Sequence, residues 1–236
     1  MRVAFGAKAE AMAQKYNTTI DEIIYIYVDK MDTQIDNYRQ RHDLIEIIIT
    51  NPAAEDLYWN IVETTLLATK DTLTGLDNRR SMQSQLDKLA NNFNRKQTSF
   101  SFIYIDLDNF KKINDKFDHS VGDAVLKAVT RSIKSHVRAI DLACRIGEEE
   151  MAVIMDGDKS AAIILAERIR ASVENIDVEA LGIDRNQHSK ITAKIGVAEY
   201  KHVPGFNNAE AIKLLLIQLS RLTTNSIVKG IRVSVV

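Results

Sequence analysis

The chain has 236 residues, 45% apolar and 27% charged, with a formal net charge of −1. That balance is ordinary for a globular protein and offers no charge excess suited to nucleic acid or an anionic membrane surface. A lone cysteine, Cys144, excludes a disulfide framework and a cysteine-based zinc site within one chain, and its apolar neighbourhood predicts a buried, inert thiol. No apolar run reaches the ~18 residues of a membrane span. The N-terminus lacks the apolar stretch of a signal peptide, so a soluble, cytoplasmic protein is expected.

Residues 1–70 are expected to form an all-helical region. Thr19 and Glu22 form a capping box ahead of Ile20, Ile23, Ile24, Tyr27 and Met31, which follow helical spacing. Ile35, Tyr38 and the run from Leu44 to Ile49 extend that stripe, which reads as core or dimer interface rather than a cofactor box. Asn51 and Pro52 end it and start a further helix, with Pro52 suited to the first helical turn. That helix runs from about Ala53 to Thr69.

From Asp71 the pattern changes. Apolar strands are expected at Ser99–Ile105, Met151–Met155, Ile191–Ala198 and, at an edge, Ile231–Val235. Helical patterns fall at 79–95, 121–139, 159–174 and 208–225, and 177–190 reads as a polar loop. Strands alternating with helices imply an α/β sandwich.

Two segments suggest chemistry. Asp106 ends an apolar strand and Asp108 follows, a placement that suits a hard cation such as Mg²⁺ but also an ordinary solvated turn. Gly147 is followed by Glu148, Glu149 and Glu150, which open another buried strand. Carboxylates from two such segments could hold a metal-bound triphosphate, or could simply make a charged turn. His42, His136, His188 and His202 lack metal-ligand spacing, and His119 reads as a structural group at a helix start.

Taken together, five segments in order resemble the GGDEF family of diguanylate cyclases. Asp71 to Arg80 reads D-T-L-T-G-L-D-N-R-R, and Asp106 to Asp115 reads D-L-D-N-F-K-K-I-N-D. Phe117 to Asp123 reads F-D-H-S-V-G-D, where Asp118 replaces a family glycine. Arg145 to Met151 reads R-I-G-E-E-E-M, a degenerate form of the signature. Thr192 to Ala198 reads T-A-K-I-G-V-A, where Lys194 replaces a serine. The resemblance covers roughly residues 70–236 and implies a mostly antiparallel central sheet flanked by helices.

It also implies roles. Active members of this bacterial signalling family condense two GTP molecules into cyclic di-GMP across a homodimer. Asp106, Glu149 and Glu150 match metal-side carboxylates, with Glu149 and Glu150 in the catalytic signature. Lys111 matches a phosphate-facing lysine, and Asn114 and Asp123 match the pair that binds guanine. Glu148 stands where the signature's second glycine lets backbone approach the nucleotide, adding like charge beside a triphosphate. In the C-terminal family pattern, aligned on Leu214, Leu215, Leu222, Arg232 and Val233, the phosphate-binding lysine falls on Ser226 and the arginine on Gly230. Lys229, Arg221 or Arg232 could substitute. Arg138 and Asp141 match the family's R-x-x-D product-binding site, supported by Arg168; a planar guanidinium suits phosphate and guanine edges.

These readings lead to a cyclic di-GMP receptor with an impaired cyclase site, the alternative being an active diguanylate cyclase that uses Mg²⁺ and GTP. Residues 1–70 are expected to dimerise or to dock a protein partner.

Overall fold

The structure is a computed structural model that describes residues 2–24, 26, 52–96, 100–200 and 231–233. The chain divides into two compact units, Met1–Leu76 and Asp77–Val236.

In the first unit, α1 (Arg2–Lys15) and α2 (Pro52–Thr69) pack around Ala9, Ala13, Tyr16, Ile23, Trp59, Val62 and Leu66. Lys8 pairs with Glu55 and Asp56, and Lys15 with Glu63, so the two helices run parallel. Tyr16 is buried but donates its hydroxyl to Glu63 at 2.8 Å, which satisfies the polar end of an otherwise apolar side chain. The expected cap forms: the Glu22 N–H donates to Thr19 Oγ1 at 3.2 Å and a helix starts at Ile20. Pro52 opens α2, as its fixed φ allows. The apolar stripe beyond Ile26, with His42, lies outside the described residues.

The unit ends on a closed turn. Asp71 Oδ1 accepts from the Thr74 backbone N–H and from its hydroxyl. The Asp71 N–H in turn donates to the Leu76 carbonyl at 2.8 Å. Short Asp and Thr side chains bond to nearby backbone in this way, which explains their use where one unit stops.

Among the described residues, the second unit holds a mixed six-stranded sheet flanked by helices. Its strands are β1 (Asp77–Asn78), β2 (Phe100–Leu107), β3 (Leu142–Arg145), β4 (Glu150–Asp156), β5 (Ala193–Glu199) and β6 (Ile231–Val233). Their spatial order is β1-β3-β4-β2-β5-β6. The three inner pairings are antiparallel and the two edge pairings parallel. The helices are α3 (Arg79–Lys96), α4 (Phe110–Phe117), α5 (His119–Lys134) and α6 (Lys159–Glu174).

Strand β2 is central and covered on both faces, which is why it reads as a nearly unbroken apolar run. Phe100, Phe102 and Tyr104 point to one face and pack with Met82 and Leu86 of α3, with Cys144, and with Ala152 and Ile154 of β4. Ile103 and Ile105 alternate to the other face. Helix α6 packs against β2 and β5 and touches α5, with Ala162, Leu165, Ala166, Ile169 and Val173 buried.

Three expectations need correction. The helix predicted over 121–139 starts at His119 and stops at Lys134, because the chain must turn to enter β3. The strand-to-helix turn expected near Asp106 and Asp108 leads into a helix that the expected helical segments leave out, α4, whose Phe110 and Ile113 are buried. The loop at 177–190 carries a short 3₁₀ turn at Glu179–Leu181 between buried Val178 and Ile183. The helix expected at 208–225 lies outside the described residues.

Candidate functional site

Pairing of β2 with both neighbours assembles the acidic cluster. Asp106 stands opposite Glu150 of β4 on one side and opposite Lys194 of β5 on the other. Glu149 sits just before β4, and its carbonyl accepts from the Leu107 N–H at 3.3 Å. Burial pushes the Asp106 carboxyl up to about 6; the Glu149 charge adds to the rise and Lys194 opposes it. The Glu149 carboxyl is also raised, first by burial and then by Glu148 and Glu150. Both carboxylates are thus disfavoured as anions by burial and by their acidic neighbours, against the pull of Lys194.

The other acidic groups are engaged. Tyr104 donates its hydroxyl to Glu150 Oε1. Asp108 accepts from the Thr192 hydroxyl at 2.8 Å and lies 3.4 Å from the Lys194 ammonium. The Asp108 N–H donates to the Thr192 carbonyl at 2.8 Å, which fixes the strand-to-helix turn against the start of β5.

The signature turn joins β3 to β4. Ile146 and Gly147 both donate backbone N–H groups to the Glu150 carbonyl. Arg145 clamps the turn by donating to the Gly147 and Glu148 carbonyls at 3.2 and 2.8 Å. A Cβ on Gly147 would lie 2.2 Å from Glu150 Oε2, so the glycine leaves room for the Glu150 carboxylate to fold back. Glu148 is exposed at the tip and adds its charge to Glu149.

A hard cation such as Mg²⁺ takes oxygen ligands. The raised, half-buried Asp106 and Glu149 carboxylates suit one. Among the described residues, however, no three acidic, histidine or cysteine side chains form a metal-binding group, and Tyr104 already holds Glu150.

The residues expected to bind guanine come together around Gly122. Asn114 of α4 lies against it: a Cβ there would sit 1.8 Å from Asn114 Oδ1. Asn114 Oδ1 is buried and without a hydrogen-bond partner, a cost that a ligand N–H would remove. Asp123 follows Gly122 and is exposed, as is Lys111 in the first turn of α4. Asp118 holds φ 84 and ψ 155, a conformation that glycine adopts readily and other residues rarely. Its side chain accepts from the His119 N–H and caps α5.

Arg138 and Asp141 form a second locus. The Arg138 guanidinium forks onto Asp141, with Nε at 3.2 Å from Oδ2 and an Nη at 3.1 Å from Oδ1. The Arg138 N–H also donates to Asp141 at 2.9 Å, and its guanidinium donates to the Asp156 carbonyl at 2.9 Å. The Asp141 side chain is 1% exposed and that of Arg138 is 56% exposed, so a buried carboxylate aims a guanidinium into solvent. Asp156 ends β4 while Glu150 begins it, which separates the two loci by roughly 20 Å along a seven-residue strand. Arg168 is exposed on α6 and makes no hydrogen bond or ion pair with Arg138 or Asp141.

Sequence reasoning located the carboxylates and the arginine but missed three partners. Tyr104 for Glu150, Thr192 for Asp108 and the Asp156 carbonyl for Arg138 depend on strand pairing. Lys194 was visible as a departure from a serine; its contact with Asp108 was not. Ser226 and Gly230, with Arg221, Lys229 and the Arg232 side chain, lie outside the described residues.

This topology, with carboxylates at one end of its central hairpin, defines a nucleotidyl-cyclase type of sandwich. The family model described as "Diguanylate cyclase, GGDEF domain" matches residues 68–223, and the chain belongs to the GGDEF family. The response regulator PleD of Caulobacter vibrioides is 50% identical over 108 residues, which is 45% of this chain and 24% of that protein. Diguanylate cyclase DgcS of Shewanella oneidensis is 42% identical over 125 residues, 53% of this chain and 42% of that one. The chain therefore spans less than half the length of these curated relatives. Among solved structures, the GGDEF domain of DgcB from Caulobacter crescentus, in complex with c-di-GMP, matches with a TM-score of 0.60 at 26% identity, covering 70% of this chain and 95% of that one. No helix among the described residues is long and apolar enough to cross a membrane.

Proposed function

We propose that this chain is a cyclic di-GMP receptor in which Arg138, held by Asp141 and assisted by Arg168, takes the ligand, while the cyclase half-site is impaired. The observation that carries the reading is the fork of Arg138 on a buried carboxylate, with half of the arginine side chain left open. A guanidinium fixed in this way loses little further freedom on binding phosphate or a guanine edge. A GGDEF domain of similar fold has been solved with c-di-GMP bound.

Impairment rests on the signature turn. Glu148 adds a third carboxylate beside Glu149 and Glu150, and Asp106 is already raised, first by burial and then by the Glu149 charge. A triphosphate brought to this cluster meets like charge, and phosphoryl transfer depends on the opposite. The family's lysine and arginine contacts, replaced at Ser226 and Gly230, point the same way. In this reading the receptor is a cytoplasmic homodimer, with residues 1–70 supplying the dimer seam or a docking face for a protein partner.

Titration calorimetry tests the receptor. Cyclic di-GMP should give saturable heat at tens of micromolar protein, and Arg138→Ala should remove it. An Arg138→Ala variant that binds as the parent does would overturn the proposal.

A second reading, an active diguanylate cyclase, is favoured by Asp106, Glu149 and Glu150 lying together and by the orphaned Asn114 amide beside Gly122. In that case Asp106 and Glu149 would hold Mg²⁺, which would neutralise triphosphate charge, while Asn114 and Asp123 bind guanine and Lys111 faces phosphate. Incubation with GTP and Mg²⁺ followed by chromatography decides it: product that disappears in Glu149→Ala establishes the cyclase.

A further inference from the structure

The cross-strand position beside Asp106 holds a cation of the chain's own. Lys194 is directly opposite Asp106 in the β2–β5 ladder. Its ammonium lies 3.4 Å from Asp108 Oδ1. It also lowers the proton affinity of both Asp106 and Glu149, the two carboxylates with unmet charge. The lysine side chain is 27% exposed and its Asp108 partner 12% exposed, so the pair sits in a partly desolvated pocket where charge acts strongly. Lysine is a compact point charge on a flexible stem, able to reach several oxygens without a fixed geometry.

We propose that Lys194 is a resident cation of the carboxylate cluster, positioned to occupy the charge balance that a divalent ion would otherwise supply. The cleft then binds divalent metal more weakly than the same cleft with a neutral residue at 194. Two effects combine. The ammonium repels a second cation nearby, and it engages Asp108 while partly neutralising Asp106 and Glu149. The inference rests on the reading of this cleft as an impaired half-site and gives the impairment a further cause besides Glu148, Ser226 and Gly230. Lys194 acts here as a positioning and charge-setting residue.

The test is Mn²⁺ binding to the full chain, followed by the loss of the free-ion electron paramagnetic resonance signal. Lys194→Ser and Lys194→Met should each tighten Mn²⁺ binding at least tenfold. Lys194→Arg, which keeps the charge, should bind as weakly as the parent. Asp106→Asn added to Lys194→Ser should cancel the gain. Should the serine variant fail to fold, the methionine and arginine variants still decide. Equal Mn²⁺ affinity in the parent and in the methionine variant, with unchanged melting temperatures, would overturn the proposal. Cyclic di-GMP titration of the same samples reports separately on the receptor. Loss of that binding in the parent would sink the receptor and leave the Mn²⁺ result standing.

Discussion

The two ends of strand β4 pose opposite electrostatic problems. At the Glu150 end, carboxylates crowd together and one of them, Asp106, is driven up to about 6. At the Asp156 end, a single buried carboxylate, Asp141, is fully matched by Arg138, whose guanidinium also takes the strand's last carbonyl. One end therefore carries more carboxylates than Lys194 balances, and the other presents a guanidinium in a fixed orientation. On the proposed function, an anion is bound at the arginine end and opposed at the acidic end.

The largest expected effect is at the arginine end. Arg138→Ala should weaken cyclic di-GMP about 100-fold. Because the substitution leaves the buried Asp141 carboxylate without its guanidinium partner, the melting temperature should fall as well, and a thermal scan of the calorimetry sample would show that the variant is still folded. A folded variant that binds cyclic di-GMP as the parent does would erase the contrast.

Asp141→Ala removes the buried half of the same pair. It strips a buried acceptor from three Arg138 donors and should cost about 1–3 kcal/mol in urea unfolding.

The acidic end should respond in the opposite direction. The folded chain holds a proton on Asp106 up to about 6, against an ordinary value of 3.8. Between those values the folded state binds more protons than the unfolded one, so this group's contribution to stability falls as pH rises through that window. Asp106→Asn should thus stabilise the domain by about 1–2 kcal/mol at pH 7 to 8, after discounting for partial exposure. The gain should vanish towards pH 4. Denaturant melts at both pH values would check it, and a loss of stability at pH 8 would show that the cluster is balanced after all.

The smallest effect concerns neither end. Asp118→Gly relieves a backbone at φ 84 but loses the bond from the His119 N–H. A net gain of at most about 1 kcal/mol is expected by thermal melting.

How much of this was legible in the sequence depended on burial and range. Strands β2 and β4 stood out because strands covered on both faces are apolar throughout. Strand β3 did not, since Leu142–Arg145 is four residues long and only Cys144 is buried. The end of α5 was overrun because Val137 and Ile140 prolong the apolar pattern, whereas the Asp141 N–H bonds to the Arg138 carbonyl and turns the chain. Helix α4 is faint in the sequence because it has eight residues and only Phe110 and Ile113 on its buried face, too few for a helical period to stand out. At the site, Asp106, Glu149, Arg138 and Asp141 were identified from local motifs. Lys194 and Tyr104 owe their roles to partners brought close only by strand register, which no local pattern encodes.

The most direct test of the central claim is a thermal-shift comparison on one preparation, with cyclic di-GMP and with GTP plus Mg²⁺. A ligand that binds only the folded state adds about 2.7 kcal/mol at one hundred times its dissociation constant. Cyclic di-GMP should raise the melting temperature of the parent and leave Arg138→Ala unmoved, while GTP gives little shift. A large shift with GTP, and none with cyclic di-GMP, would contradict the account.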